Sequence, residues 1–130
     1  MPVQFQTEAD PLIWIQFAGP VSEREFDVYL ETLTRYVTRE STTLFIYDAL
    51  QASVPSATQR QKQAAWLERY DAALRRNSGG SAFVISNPLI RGALTAIFWI
   101  RPTPAPYIVV ATRAEAERWA RGQLRAQGHL

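Results

Sequence analysis

Cysteine is absent from this sequence, which removes disulfides, thiol nucleophiles, cysteine-ligated zinc and iron–sulfur clusters from its chemistry. Histidine is nearly absent: its one copy, His129, stands beside the last residue, on a tail over 127–130 expected to fray. A Ser-His-Asp or Cys-His arrangement therefore lacks its base, and imidazole-based metal sites lack their ligands. No GxxxxGK[ST], GxGxxG or GxSxG occurs, and no acidic cluster has the spacing of a calcium loop. Gly79-Gly80 precedes a strand run instead of joining strand to helix, so it reads as a helix stop and not as a phosphate loop. These absences point to a non-enzyme with no catalytic residues, no metal and no cofactor. Asp48 and Glu115 are the carboxylates left for an acid–base enzyme, and strand-end and capping roles account for both.

Charge of one sign is lacking too. Fourteen basic residues face 12 acidic ones, for a net charge of +2, and only one of the basic residues is lysine. Nucleic-acid binders gather Lys and Arg on one face, whereas these arginines are mostly interleaved with acids, so no nucleic-acid partner is expected. Arg60/Lys62 and Arg75/Arg76 read as solvated helix surface and helix C-terminal charge. Long apolar runs are missing: the most apolar stretch, 93–100, falls far short of the ~20 residues of a membrane span. The N-terminus has no basic region followed by an apolar one, so no signal peptide is read there. A cytoplasmic location is the expectation.

What remains is an ordinary globular composition. The chain has 130 residues, 47% of them apolar, and four tryptophans, which suits one domain over 1–130. A chain of this size buries about two-thirds of its unfolded surface and needs no staple.

Alternation over 3–7 puts Val3, Phe5 and Thr7 on one face of a strand. A turn over 8–11 leads to a second strand, 12–17, with Ile13, Ile15 and Phe17 inward; the short connection makes the pair a hairpin. Ser22-Glu23-Arg24-Glu25 is a capping box, flanked by Val21 and Phe26 at staple positions. Phe26, Tyr29, Leu30, Leu33 and Val37 then recur at helical spacing, predicting a helix over 23–38. TLFIYD at 43–48 suits a central strand covered on both faces. A loop over 49–55 precedes a second capping box at 56–59. One long helix follows, carrying Ala64, Leu67, Tyr70 and Leu74, and residues 77–80 stop it. SAFVIS at 81–86 is a buried strand, and Asn87-Pro88 is an N-cap with proline at the first helical position. A helix over 89–100 ends at the proline-rich 101–106. A last strand, 107–111, leads to a third capping box, Thr112 to Glu115, and a helix with Ala116, Trp119, Ala120 and Leu124 along one side. The order is ββαβαβαβα, an α/β fold. It predicts a mostly parallel sheet with an N-terminal antiparallel hairpin strand and four helices.

Four segments, TLFIYDAL at 43–50, SVPSATQRQKQAAWL at 53–67, GGSAFVISNPLIRGALTAIFW at 79–99 and YIVVATRAEAERWA at 107–120, give the chain a pattern that resembles the SpoIIAA-like, STAS-type domains. Bacterial anti-sigma-factor antagonists are among these. The resemblance spans nearly the whole chain and is one of topology, not of a sharp motif. It implies a regulatory, signalling role exercised by protein–protein interaction. In those antagonists a buried strand ends in Asp, and a loop presents a phosphorylatable Ser at the next helix start. Asp48 and Ser56 stand at those positions here. The Asp-Ser-[Ser/Ala]-Gly signature itself is missing, replaced by Val54-Pro55-Ser56-Ala57, which resembles a divergent SpoIIAA-like branch.

Three sets of residues carry the functional expectations. Asp48, Ser53, Ser56 and Gln59 are candidates for an interaction surface or phospho-switch, although an N-cap role explains Ser56 fully. Leu94, Phe98, Trp99 and Arg101 belong to the helix over 89–100 and its end. That helix is apolar on more than one face, so it is either covered by a neighbouring element or meets a protein partner, a second copy in a homodimer, or a lipid. Asn87 and Thr112 are ligand candidates at the C-terminal edge of the parallel strands, where helix N-termini favour anions. Two functions compete: a non-enzymatic regulatory module docking through 53–59, and a module binding an apolar or anionic small molecule between the strand ends and the 89–100 helix. Trp66 and Trp119 are expected in the core.

Overall fold

A computed structural model describes residues 2–128, so His129 lies outside the described residues. The elements run β1 (Val3–Gln6), β2 (Leu12–Gly19), α1 (Glu23–Val37), β3 (Thr43–Ala52), α2 (Ala57–Arg69), α3 (Asp71–Asn77), β4 (Ser78–Val84), α4 (Pro88–Ile100), β5 (Tyr107–Val110) and α5 (Arg113–Ala126). They form one five-stranded sheet in the order β1-β2-β3-β4-β5. β1 lies antiparallel to β2, with Val3 opposite Phe17 and Phe5 opposite Ile15. The other pairs are parallel. This is the expected mostly parallel sheet with an antiparallel hairpin strand at its edge.

Because the strand order follows the chain, every crossover steps the same way, and right-handed crossovers that step one way deliver their helices to one face. Phe26, Tyr29, Leu33 and Val37 of α1, Ala64, Trp66 and Leu67 of α2, Leu74 of α3 and Ile97 of α4 share a core with Ile13, Ile15 and Phe45. The opposite face is left to α5, whose Ala116, Ala120 and Leu124 pack on Leu12, Leu44, Ile46, Ala82 and Val84. The two sets alternate along β2 and β3, as the period-two pleat requires.

Several boundaries differ from the expectation: β2 runs to Gly19 and not to Phe17, and β4 covers Ser78–Val84 in place of 81–86. Thr7 falls in the turn after β1, so only Val3 and Phe5 of the expected trio lie in the strand. β3 continues past Asp48 to Ala52, because β2 runs on beside it: after a register shift, Ala18 pairs with Gln51 and Gly19 with Ala52. The expected single long helix is two helices, making five in all, since Tyr70 leaves helical geometry at φ −103°, ψ 20°. Asp71 then opens α3 and holds both Arg75 and Arg101, tying α3 to the end of α4. Finally, Gly79-Gly80 lies inside β4 and is not a helix stop.

The glycines are there for close approach. A Cβ on Gly79 would lie 2.9 Å from Leu44 and from Gln127, and one on Gly80 would lie 2.9 Å from the Trp119 ring. Gly80 also has φ +142°, which L side chains rarely adopt. Gln127, expected on a frayed tail, donates to the Gly79 carbonyl at 2.9 Å and anchors the end of α5. Trp66 is buried, and Trp119 is partly buried against the second core.

Gly80→Ala is expected to lower unfolding free energy by about 1–3 kcal/mol, through overpacking and a strained backbone. Gly122, in α5, has open space where a Cβ would go. Gly122→Ala is therefore expected to raise stability by roughly 0.5–1 kcal/mol. Urea unfolding of both variants reads the two signs.

Candidate functional site

Two helix starts meet at the C-terminal edge of β2 and β3. Ser22 and Ser56 each form a complete capping box: Ser22 Oγ accepts from the Glu25 amide, and Ser56 Oγ accepts from the Gln59 amide. The boxes are cross-linked. Gln59, although buried, has its amide satisfied because Nε2 donates to the Val21 carbonyl at 2.8 Å. Ser56 Oγ also donates to Glu23 Oε1 at 3.2 Å, and Lys62 bridges to Asp27 at 2.9 Å and Glu23 at 3.7 Å. The Ser56 hydroxyl thus has both its proton and a lone pair engaged by structure.

Behind this rim lies a cavity of about 340 Å³, between the crossover face of the sheet and helices α1, α2 and α4. Its walls are apolar: Phe17, Phe26, Leu67, Phe83, Ile90, Ile97 and Phe98. Ser53, Val54, Ser56 and Glu23 line it as well, and their exposure marks the mouth. The wall is stiffened by aromatic contacts: Tyr47 stacks on Phe83 at 4.8 Å, and Phe83 meets Phe98 edge-on at 5.8 Å. Phe17 meets Tyr29 edge-on at 5.2 Å.

The polar groups inside are few and specific. Tyr29 Oη donates to Gln63 Oε1 at 2.9 Å. The Tyr47 hydroxyl sits beside that of Tyr29. The two phenols are hydrogen-bonding neighbours, and the hydroxyls of Ser53, Ser81 and Thr103 line the cavity as well. Burial raises both phenols above their ordinary pKa, Tyr29 also through its Tyr47 neighbour, so both stay protonated and able to donate at neutral pH. Glu23 is the only ionisable acid or base in the lining apart from these phenols, and no Lys, Arg or His joins it.

The sequence-derived candidates separate into groups. Ser53, Ser56 and Gln59 line the cavity mouth, and Leu94 and Phe98 line its α4 wall. Asp48 is not with them. It is 4% exposed on the α5 face, where it pairs with Arg113 and accepts the Leu50 amide at 3.2 Å. The Arg113 guanidinium lies 4.2 Å from the centre of the Trp14 ring. Asn87 caps α4 by accepting the Leu89 amide at 2.8 Å, and Thr112 caps α5 by accepting the Glu115 amide at 3.2 Å. In the third capping box, Thr112 donates its hydroxyl to the Glu115 side chain, where the reciprocal contact would use the Thr112 backbone amide. Neither Asn87 nor Thr112 lines the cavity. α4 is covered on one side only: Ile90, Ala93 and Ile97 are buried, while Trp99 is 84% exposed along with Leu89 and Ile100. Arg101 joins Asp71 at 3.3 Å, and its Nε is buried without a partner among the described residues.

Tyr29, Tyr47, Gln63, Ser81 and Thr103 are polar residues of the cavity that the sequence did not single out. Both tyrosines read as members of apolar runs. The signal was a phenol on the inward face of α1 and another two residues after Phe45 on the same strand face.

No family model matches this sequence, and no curated protein matches it. The fold does have a solved counterpart: an uncharacterized protein of the DUF3478 family with a SpoIIAA-like fold, from Shewanella loihica PV-4. That likeness covers 91% of each chain at 12% identity, with a TM-score of 0.66. The chain therefore has a SpoIIAA-like fold. Among the described residues no helix is long and apolar enough to cross a membrane.

Arg113→Ala would leave the buried Asp48 without its cation. The expected loss is about 2 kcal/mol, below the value for a fully buried pair because Arg113 is 43% exposed. Urea unfolding checks it, with Asp48→Asn in the Arg113→Ala background expected to recover part of the loss.

Proposed function

We propose that the chain is a non-enzymatic binding module that takes an apolar small molecule into the cavity between its sheet and α4. The observation that carries this reading is the cavity itself, about 340 Å³ with apolar walls and a few convergent hydroxyl and amide groups. That is the usual make-up of a small-molecule site, and the C-terminal strand edge is where open α/β sheets take their ligands. The opposite make-up, a fully packed crossover layer, would have left docking by protein alone. The absence of a cation in the lining narrows the earlier pair of ligand classes to the apolar one.

A second reading, protein docking through residues 53–59, is supported by the rim. Val54 is 48% exposed there, beside Ser53 and Ser56. A regulatory role in the cytoplasm, exercised on a protein partner or a second copy of the chain through the exposed side of α4, belongs to this reading; what supports it is the fold. The two readings share one surface, since a molecule entering the cavity passes the same rim that a partner would grip. Phosphorylation of Ser56 would set a doubly charged group against Glu23 and displace the link between α1 and α2.

Native mass spectrometry of the purified protein tests the first reading. The expected result is a non-covalent apolar molecule on the wild type that is lost in Leu94→Trp, whose indole would occupy the cavity, with circular dichroism unchanged. Wild-type protein that is empty and takes up no apolar probe at millimolar concentration would overturn it. For the second reading, Ser56→Ala is expected to cost about 1 kcal/mol through the lost cap. Ser56→Asp keeps a capping oxygen, so a difference between the two in partner binding reports charge and not helix stability.

A further inference from the structure

We propose that the open groove between β1 and α1, on the far side of α1 from the cavity rim, takes an extended peptide of another protein. The peptide adds beyond β1 as a further strand and turns one apolar and one acidic side chain under α1. β1 is an edge of the five-stranded sheet, and no described strand lies beyond it. Its pairing with β2 fixes which main-chain groups are free. The Ala18 amide donates to the Pro2 carbonyl at 2.8 Å, and Gln4 and Gln6 stand opposite Gln16 and Trp14. In an antiparallel ladder the bonded pairs recur at every second residue, so Gln4 and Gln6 continue that set. The amides and carbonyls of Val3 and Phe5 therefore point away from β2. Those four groups are a template for another extended chain. No proline and no charged residue stands within β1 to block it.

A groove of about 440 Å³ runs beside this edge, with Val3, Phe5, Arg24, Val28 and Thr32 in its walls. Arg24, Val28 and Thr32 recur at every fourth residue and form one row of α1. Val28 is 48% exposed, an apolar side chain without cover. Val3 and Phe5 turn their side chains to the α1 face, where they pack on the core. Directly opposed residues share a face, so the peptide residues opposite these two enter the groove. Phe5 lies 6.2 Å from the Tyr29 ring and 5.9 Å from the Tyr36 ring, which places Arg24 toward the Val3 end. The residue opposite Phe5 meets the apolar part of the row, and the residue opposite Val3 meets Arg24.

Charge sets the acidic requirement. Arg24 is exposed and makes no ion pair among the described residues. Glu25 also lines the groove, but its carboxylate accepts the Ser22 amide in the capping box. Glu23 and Asp27 are held by Lys62 of α2. The groove thus offers a cation beside apolar surface. A second copy pairing through its own β1 would bring Val3 and Phe5 on that face and no acid for Arg24. A segment with Asp or Glu two positions from Val, Ile, Leu or Phe satisfies the edge, the row and the charge together.

A random heptapeptide library displayed on phage and panned against the whole protein tests the assignment. Peptides with an acid two positions from a large apolar residue are expected to be enriched. A synthetic peptide from that set is expected to bind in the micromolar range by fluorescence polarisation. Arg24→Glu, at an exposed position and with circular dichroism unchanged, is expected to weaken it about tenfold, and Val28→Arg to block it. Methylating the main-chain nitrogen of the apolar residue, which faces Phe5, is expected to abolish binding. The same change on the residue between apolar and acid, whose amide faces away, is expected to leave it nearly intact. No enrichment, equal binding to Arg24→Glu, or equal loss from both methylations overturns the proposal. A dimer in sedimentation equilibrium that Val28→Arg dissociates also overturns it, giving the groove to a second copy. None of these outcomes bears on the cavity reading, which Leu94→Trp tests separately.

Discussion

The sequential order of the five strands governs most of what this molecule presents. With each crossover stepping toward the same edge, α1 to α4 must all share one face, and α5 alone has to cover the other. The crowded face and the bare face then call for different solutions. On the bare face a single helix must come close, and it does so through Ala116 and Ala120 with Gly79 and Gly80 cleared beneath it. On the crowded face α1 and α2 are locked together at their starts, while α4 leans in from the β5 side. The space between them is the cavity.

That lock is a network of caps more than of apolar contacts. Ser22, Ser56, Gln59, Glu23 and Lys62 join two helix starts and the loop at Val21 through short polar contacts. Such a seam holds geometry while leaving apolar surface behind it unfilled. Trp66, whose indole donates to Thr34 Oγ1 at 2.9 Å, carries the α1–α2 seam further along the helices. The cavity therefore has a stiff rim and stacked aromatic walls.

Much of the fold was legible because it rests on local rules. The capping boxes at Ser22 and Ser56 were recognisable from four-residue patterns, and the structure forms both. The alternation of Ile13, Ile15 and Phe17 declared the face that meets α1. What failed were places where distant partners overrode local signals. Gly79-Gly80 looks like a helix stop until Trp119 and Leu44 show why no side chain fits there. The break at Tyr70 has no Gly or Pro to announce it, and the Asp71 that follows it reaches Arg101, 30 residues away. Asp48 and Ser56 are eight positions apart and look like parts of one switch, yet the pleat sends the Asp48 carboxylate to the α5 face.

By itself the sequence determined the periodicities, the helix starts and the missing chemistry, since these depend on a residue and its near neighbours. Strands alternating with helices were enough to define an α/β domain, and the order of those elements resembled the SpoIIAA-like type. Only the tertiary structure decided which side chains share a space. Tyr29, Tyr47 and Gln63 come from a helix, a strand and another helix, and nothing in their local sequence distinguishes them from core. A cavity is defined by what fails to touch across a layer, and that is settled by how four helices divide one face of the sheet.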